Sequence, residues 1–141
     1  MDIRPLTDDY AVSPQIAQSD LVAIKAAGFT TVIDNRPDGE IPADLAAVEM
    51  QRAAEALGLV FVTNPLIPGN FTDQNITVQA EACAKSVGPV FAYCASGNRC
   101  SVIWAMMKAG EMPADQLIAI PARFGYRLDH LRPTLEALAG R

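Results

Sequence analysis

The chain has 141 residues, half of them hydrophobic, with eleven Lys and Arg set against sixteen Asp and Glu for a formal charge of −5. That length and apolar content fit one domain over 1–141 with its own core. The acidic balance argues against nucleic-acid binding and leaves anion recognition to a local pocket. There is no basic-plus-apolar leader and no apolar run near ~20 residues, so membrane insertion is not expected and the cytoplasm is the expected compartment.

In chain order, Ile3 to Val12 reads as an extended segment interrupted by Thr7-Asp8-Asp9. Ser19-Asp20 is expected to cap a helix reaching Gly28, with Leu21, Ile24 and Lys25 at helical spacing. A strand over Thr30 to Asp34 follows, then a polar turn, Asn35-Arg36-Pro37-Asp38-Gly39-Glu40. Ala43 to Leu57 reads as a helix closed by Gly58, and Leu59 to Thr63 as the next strand. The loop Asn64 to Asn70 leads to a helix from about Thr72 to Val87, capped by Thr72 or Asp73. After the breaker pair Gly88-Pro89 comes a short apolar strand to Tyr93, and Cys100 to Ala109 is a helix apolar on almost every face. Pro113 to Phe124 and Leu128 to Leu138 complete the chain as two helices, with Pro121 a kink or break.

Strand and helix alternate, and the strands are near-continuous apolar runs instead of in-out alternations. The pattern predicts an α/β fold, a mostly parallel sheet flanked by helices. Ligands bind such sheets beyond the carboxyl ends of the strands, where the loops 34–40, 64–70 and 94–99 should meet.

The last of these loops carries the chemistry. Cys94-Ala95-Ser96-Gly97-Asn98-Arg99 lies on a strand-to-helix turn, whose inward N–H groups and positive helix end suit an anion and a thiolate. Arg99 adds a fork for oxygen atoms. The plainer reading of Cys94 is a small buried hydrophobe near a strand end. Cys83, Cys94 and Cys100 form no metal-ligand spacing with the single His130, so neither a metal nor a cofactor is expected. Cys83 reads as structural, His130 as a surface residue, and Trp104, Met106 and Met107 as core.

The two segments Asn35 to Glu40 and Tyr93 to Arg99 together resemble the bacterial beta-lactamase-hydrolase-like, phosphatase-like family, some members of which are labelled sulfur transferases. The likeness runs from Ile3 to about Leu138. It implies a protein tyrosine phosphatase-like fold, with Cys94 in the place of the nucleophile and Arg99 in that of the phosphate-binding arginine. Ala95, Ser96, Gly97, Asn98, Arg99 and Cys100 would then form the substrate loop. Members usually carry arginine at the position of Ala95, threonine at Asn98 and serine at Cys100. The resemblance makes Cys100 a thiol where a hydroxyl eases departure of the thiolate, so that it could instead pair with Cys94.

Three functions fit: a cysteine-dependent phosphatase acting through a cysteinyl-phosphate, a rhodanese-like sulfurtransferase carrying a Cys94 persulfide, and a non-catalytic phosphate-recognition module. The partner in each is a phosphorylated substrate or another oxyanion. The four residues between Cys94 and Arg99 are one fewer than in the phosphatases and match the shorter rhodanese loop. A phosphatase also wants a general acid. Asp73 and Asp38 are the candidates, with Glu40 on the same rim; helix capping and turn formation are the plain roles of Asp73 and Asp38. Arg36 is either a second anion contact or a tie within its own loop.

Overall fold

The computed structural model describes residues 1–141. Its strands are β1 (Arg4–Thr7), β2 (Tyr10–Ser13), β3 (Thr31–Asp34), β4 (Val60–Thr63) and β5 (Val90–Tyr93). Its α-helices are α1 (Leu21–Ala26), α2 (Ala47–Ala56), α3 (Asp73–Lys85), α4 (Asn98–Lys108), α5 (Ala114–Ala122) and α6 (Arg132–Ala139). The sheet order is β1-β2-β5-β3-β4; β1 is antiparallel to β2 and every other pairing is parallel.

The apolar runs become β2, β3 and β5, each buried along its whole length. Both faces are covered, so in-out alternation brings no advantage there. Even spacing sorts their side chains. Val12, Ile33, Val90, Ala92 and Cys94 face a larger core shared with α4 to α6. Val32, Phe61, Phe91 and Tyr93 face a smaller core with Leu21, Ile24 and Met50. Strand β4 lies at the edge, and Val60 is accordingly exposed. No helix is long and apolar enough to cross a membrane.

Several boundaries differ from the sequence expectation. The interrupted N-terminal segment is a hairpin whose second arm, β2, joins the parallel sheet beside β5. Ser19-Asp20 does not cap the first helix: a 3₁₀ turn over Gln18–Asp20 precedes α1, and the Asp20 carboxylate instead accepts the Ala17 N–H at 2.8 Å. The helix expected over 43–57 is divided, because Ala46 is extended between a 3₁₀ turn (Ala43–Leu45) and α2. The Ala47 N–H is met by Asp38 Oδ1 at 2.9 Å, so a residue nine positions upstream stabilises this helix start. Thr72 caps α3 as expected, its hydroxyl taking the Asn75 N–H at 3.1 Å; the helix stops at Lys85, two residues short of Val87. Helix α4 begins at Asn98, two residues early, which puts Arg99 and Cys100 in its first turn. Pro121 sits in the last turn of α5, which ends at Ala122.

A buried polar network ties the sheet to the loops above it. Gln79 on α3 accepts from Asn35 Nδ2 (2.9 Å) and Asn64 Nδ2 (2.8 Å) and donates to Asn35 Oδ1 (3.0 Å) and the Tyr10 hydroxyl (3.0 Å). The Tyr10 O–H in turn donates to the Cys100 carbonyl at 2.9 Å. One amide thus sets the loops after β3 and β4 and the first turn of α4 at fixed positions, with its own hydrogen-bonding capacity used.

Candidate active site

Strand β5 lies between β2 and β3, so the residue after Tyr93 emerges among loops on both sides. Leu66 N–H bonds the Asn35 carbonyl (2.9 Å), Asn35 N–H bonds the Tyr93 carbonyl (2.9 Å), and Gln15 N–H bonds the Ala95 carbonyl (3.2 Å). These backbone bonds bring the loops after β2, β3, β4 and β5 together.

Cys94 is buried, and its sulfur accepts the Gly97 N–H at 3.1 Å. The Cys100 thiol and the N–H groups of Cys100, Gly97 and Ser96 stabilise the thiolate against the opposing effect of burial, and bring Cys94 down to about 5. Burial and the neighbouring thiolate drive Cys100 the other way, well above the ordinary thiol range. All three cysteines are free thiols. At neutral pH Cys94 is therefore held as a thiolate and Cys100 as a neutral thiol.

The orientation of the loop follows from its carbonyls. Ala95 O accepts from Gln15 N–H, Ser96 O from the Tyr126 hydroxyl (2.7 Å), and Gly97 O from the Ser101 hydroxyl (2.9 Å). Every peptide here is trans. In a trans peptide the next N–H points opposite to the carbonyl. The carbonyls of Ala95 and Ser96 held outward therefore turn the N–H groups of Ser96 and Gly97 inward, while the Asn98 N–H donates to Ser96 Oγ at 3.2 Å. Gly97 makes this possible with φ +95°.

Arg99 is held by Glu40 and the Leu66 carbonyl. Its Nη1 and Nη2 reach the two Glu40 oxygens at 2.8 and 2.7 Å, and Nη1 also donates to Leu66 O at 2.9 Å. Three of the five guanidinium N–H groups are thus used, and Nε–H and the second Nη2–H remain for another oxyanion. The two arginines beside Glu40, with the Arg99 bond the larger cause, hold its carboxyl below the usual range, so it stays ionised. Arg36 Nε meets Glu40 at 3.2 Å and its Nη1 meets Gln15 Oε1 at 3.3 Å. Arg36 therefore ties its own loop to the neighbouring one.

Of the two acids singled out in the sequence, Asp38 lies on the rim loop and supports the start of α2. Asp73 opens α3 and pairs with Arg141 at 3.0 Å, with both partners largely exposed. His130 is exposed, yet it lines a cleft of about 420 Å³ with Arg99, Asn98, Phe71, Val102 and Met106. Trp104 is fully buried and Cys83 partly so, as their apolar surroundings in the sequence suggest.

A carboxyl that drew no attention as an acid in the sequence is the most perturbed. Asp34 ends β3, in register with Tyr93, and is fully buried. Its Oδ1 takes the Arg36 N–H at 2.9 Å, while Oδ2 has no hydrogen-bond partner. Burial pushes the group up to about 6. A raised carboxyl binds its proton more tightly folded than unfolded, so its contribution is whole below about pH 4 and is lost as pH rises through 6. Asp34→Asn keeps an oxygen for Arg36 and cannot ionise. We expect it to stabilise the protein by roughly 3 kcal/mol at pH 8 and by about half as much at pH 5; equal melting temperatures of variant and wild type at pH 8 would count against the buried, raised carboxyl.

A mostly parallel sheet that delivers a cysteine into a helix-capping loop, with an arginine five positions on, defines a phosphatase-like domain with the protein tyrosine phosphatase-like fold. The chain belongs to the family described as beta-lactamase hydrolase-like protein, phosphatase-like domain, which it matches over residues 2–111. It is 28% identical over 141 residues to the beta-lactamase hydrolase-like protein of Xylella fastidiosa (strain 9a5c), covering 99% of this chain and 33% of that protein. The chain thus spans about a third of that relative's length. A candidate phosphatase from Neisseria meningitidis Z2491 superposes with a TM-score of 0.84 at 28% identity, over 98% of this chain and 99% of that one. The core catalytic domain of the PP-IP phosphatase SIW14 from S. cerevisiae shares the fold, with a TM-score of 0.72 at 13% identity over 95% of this chain and 83% of that one.

Proposed function

We propose that this domain is a cysteine-dependent phosphatase acting through a cysteinyl-phosphate. The observation that carries the reading is the acidic thiol of Cys94 under a cap of loop N–H groups, with one edge of Arg99 uncommitted. The Cys94 thiolate attacks phosphorus in line, and the bond to the leaving oxygen breaks with its electron pair going to that oxygen. The inward N–H groups and the Nε edge of Arg99 take the equatorial oxygens as charge spreads over them. Water then attacks phosphorus, its proton passing to the carboxylate that the acid left behind, and the S–P electron pair returns to sulfur as thiolate. Glu40 keeps Arg99 in place and does not donate the proton, because it is ionised.

We assign the acid to Asp38, which is exposed on the rim and uses Oδ1 for the Ala47 N–H. Asp73 is the weaker candidate because its Oδ1 is engaged by the Arg141 guanidinium at 3.0 Å. General-acid help matters most for poor leaving groups. Asp38→Asn is expected to slow hydrolysis of an alkyl phosphate about a hundredfold and that of a nitrophenyl ester far less. Equal losses on both esters would remove Asp38 from this role.

The short loop, with four residues between Cys94 and Arg99, favours a second reading, sulfur transfer through a Cys94 persulfide. Parallel turnover of an aryl phosphate and of thiosulfate with cyanide, on reduced protein, separates the two. Phosphate release is expected; thiocyanate alone would replace the phosphatase with a sulfurtransferase, and neither product would leave a phosphate-recognition module.

A further inference from the structure

Tyr126 reaches the loop from a distant part of the chain. Helix α5 ends just past Pro121, Gly125 turns with φ +88°, and Tyr126 N–H returns to the Pro121 carbonyl at 3.2 Å. This brings the Tyr126 hydroxyl to 2.7 Å from the Ser96 carbonyl. On its other side stands Arg4 of β1, whose Nη1 donates to the same hydroxyl at 2.6 Å and whose guanidinium lies 5.5 Å from the ring centroid. Asp2 holds the remaining edge of Arg4.

The donor count fixes the direction of this chain. Arginine only donates, so the tyrosine oxygen must accept from Arg4, and its single proton goes to Ser96 O. A cation donating to a hydroxyl makes that hydroxyl a stronger donor. The Ser96 carbonyl and the Gly97 N–H belong to one rigid peptide plane. That N–H is the group bonded to the Cys94 sulfur. The same hydroxyl also bounds the turn sterically, since a Cβ on Gly97 would lie 2.2 Å from it.

We propose that Tyr126, clamped by Arg4, is a positioning residue for the anion site, fixing the Ser96–Gly97 peptide with its N–H on the nucleophilic sulfur. The proposal rests on the reading of 94–99 as that site. Neither residue touches the reacting atoms; both act through the peptide plane. Their effect is therefore on the charge state of Cys94 and on anion affinity more than on the fold. Gln15 and Ser101 hold the flanking peptides in the same way, but with a backbone N–H and a hydroxyl that no cation polarises.

The test is a pH titration of the Cys94 thiolate by its ultraviolet absorbance, taken as the difference from Cys94→Ser, in wild type, Tyr126→Phe, Arg4→Met and Arg4→Lys. Tyr126→Phe should lower the thiolate fraction near pH 5 about fivefold and raise KM for an aryl phosphate. Arg4→Met should move both readings the same way by less, and Arg4→Lys should recover most of the loss. Unchanged titrations in both Tyr126→Phe and Arg4→Met would overturn the proposal. If Tyr126→Phe does not fold, the Arg4→Met and Arg4→Lys pair decides by the same criterion. The titration needs no substrate. A wild-type protein without phosphatase turnover would sink the phosphatase reading while the thiolate titration still tests Tyr126.

Discussion

Cys94→Ser is expected to lower phosphate-ester turnover by about 10⁴-fold or more, the scale on which removal of a nucleophile acts. At neutral pH the thiol of Cys94 is almost wholly ionised, since the N–H groups of the loop and the Cys100 thiol bring it to about 5. A serine hydroxyl in the same cradle stays protonated, and the cradle itself is left standing. The variant should therefore still take up inorganic phosphate near wild-type affinity while failing to turn over substrate. Turnover within tenfold of wild type would remove Cys94 as the nucleophile. The same thiol has a signature in pH. An acid whose folded value is depressed stabilises the fold above its unfolded value and loses that contribution as pH falls through the folded one. Activity should thus decline as pH drops through about 5, whereas the stability contributed by Cys94 should decline over the window from about 9 down to about 5.

Gly97→Ala is the second large effect. A side chain at φ +95° is strained whatever surrounds it, and the added Cβ would meet Tyr126 at 2.2 Å from the hydroxyl and 3.0 Å from the ring carbon bearing it. Neither group can step aside, because the hydroxyl is bonded to Arg4 and Ser96. We expect a loss of roughly 3 kcal/mol in stability, counting backbone strain and overpacking together. Turnover should collapse as the Gly97 N–H leaves the sulfur. Thermal unfolding and aryl phosphate hydrolysis on the same preparation check this. Wild-type values for both would show that the turn does not depend on glycine.

The alternation of apolar runs, the breaker pairs and the Thr72 cap made the parallel sheet and the convergence of its loops legible in the sequence. Cys94 and Arg99 were legible for the same reason: their relation is local, six residues on one strand-to-helix turn. What could not be read was long-range partnership. Glu40 looked like one rim carboxylate among several, and only the fold shows it clasping Arg99. Asp34 read as the end of a strand, since its raised carboxyl depends on burial beneath the loops. Tyr126, between the helices expected over 113–124 and 128–138, carries no local signal at all. Helix starts were displaced where the capping group came from afar, as with Asp38 at α2.

The groups that make Cys94 acidic lie within six residues of it, but the contacts that hold Arg99 and the loop in place span long stretches of chain. Arg99 meets partners 33 and 59 residues away, the Gln79 amide meets a hydroxyl 69 residues away, and Arg4 meets Tyr126 across 122 residues. Closing loops of that size is paid for in entropy before any contact repays it, and non-local topology slows folding. The site is therefore a late product of folding. While the chain is still emerging, Cys94 is an ordinary thiol, largely protonated and slow to react with oxidants. If Tyr126 positions the loop as proposed, docking of the C-terminal segment that carries it completes the cradle around that thiol.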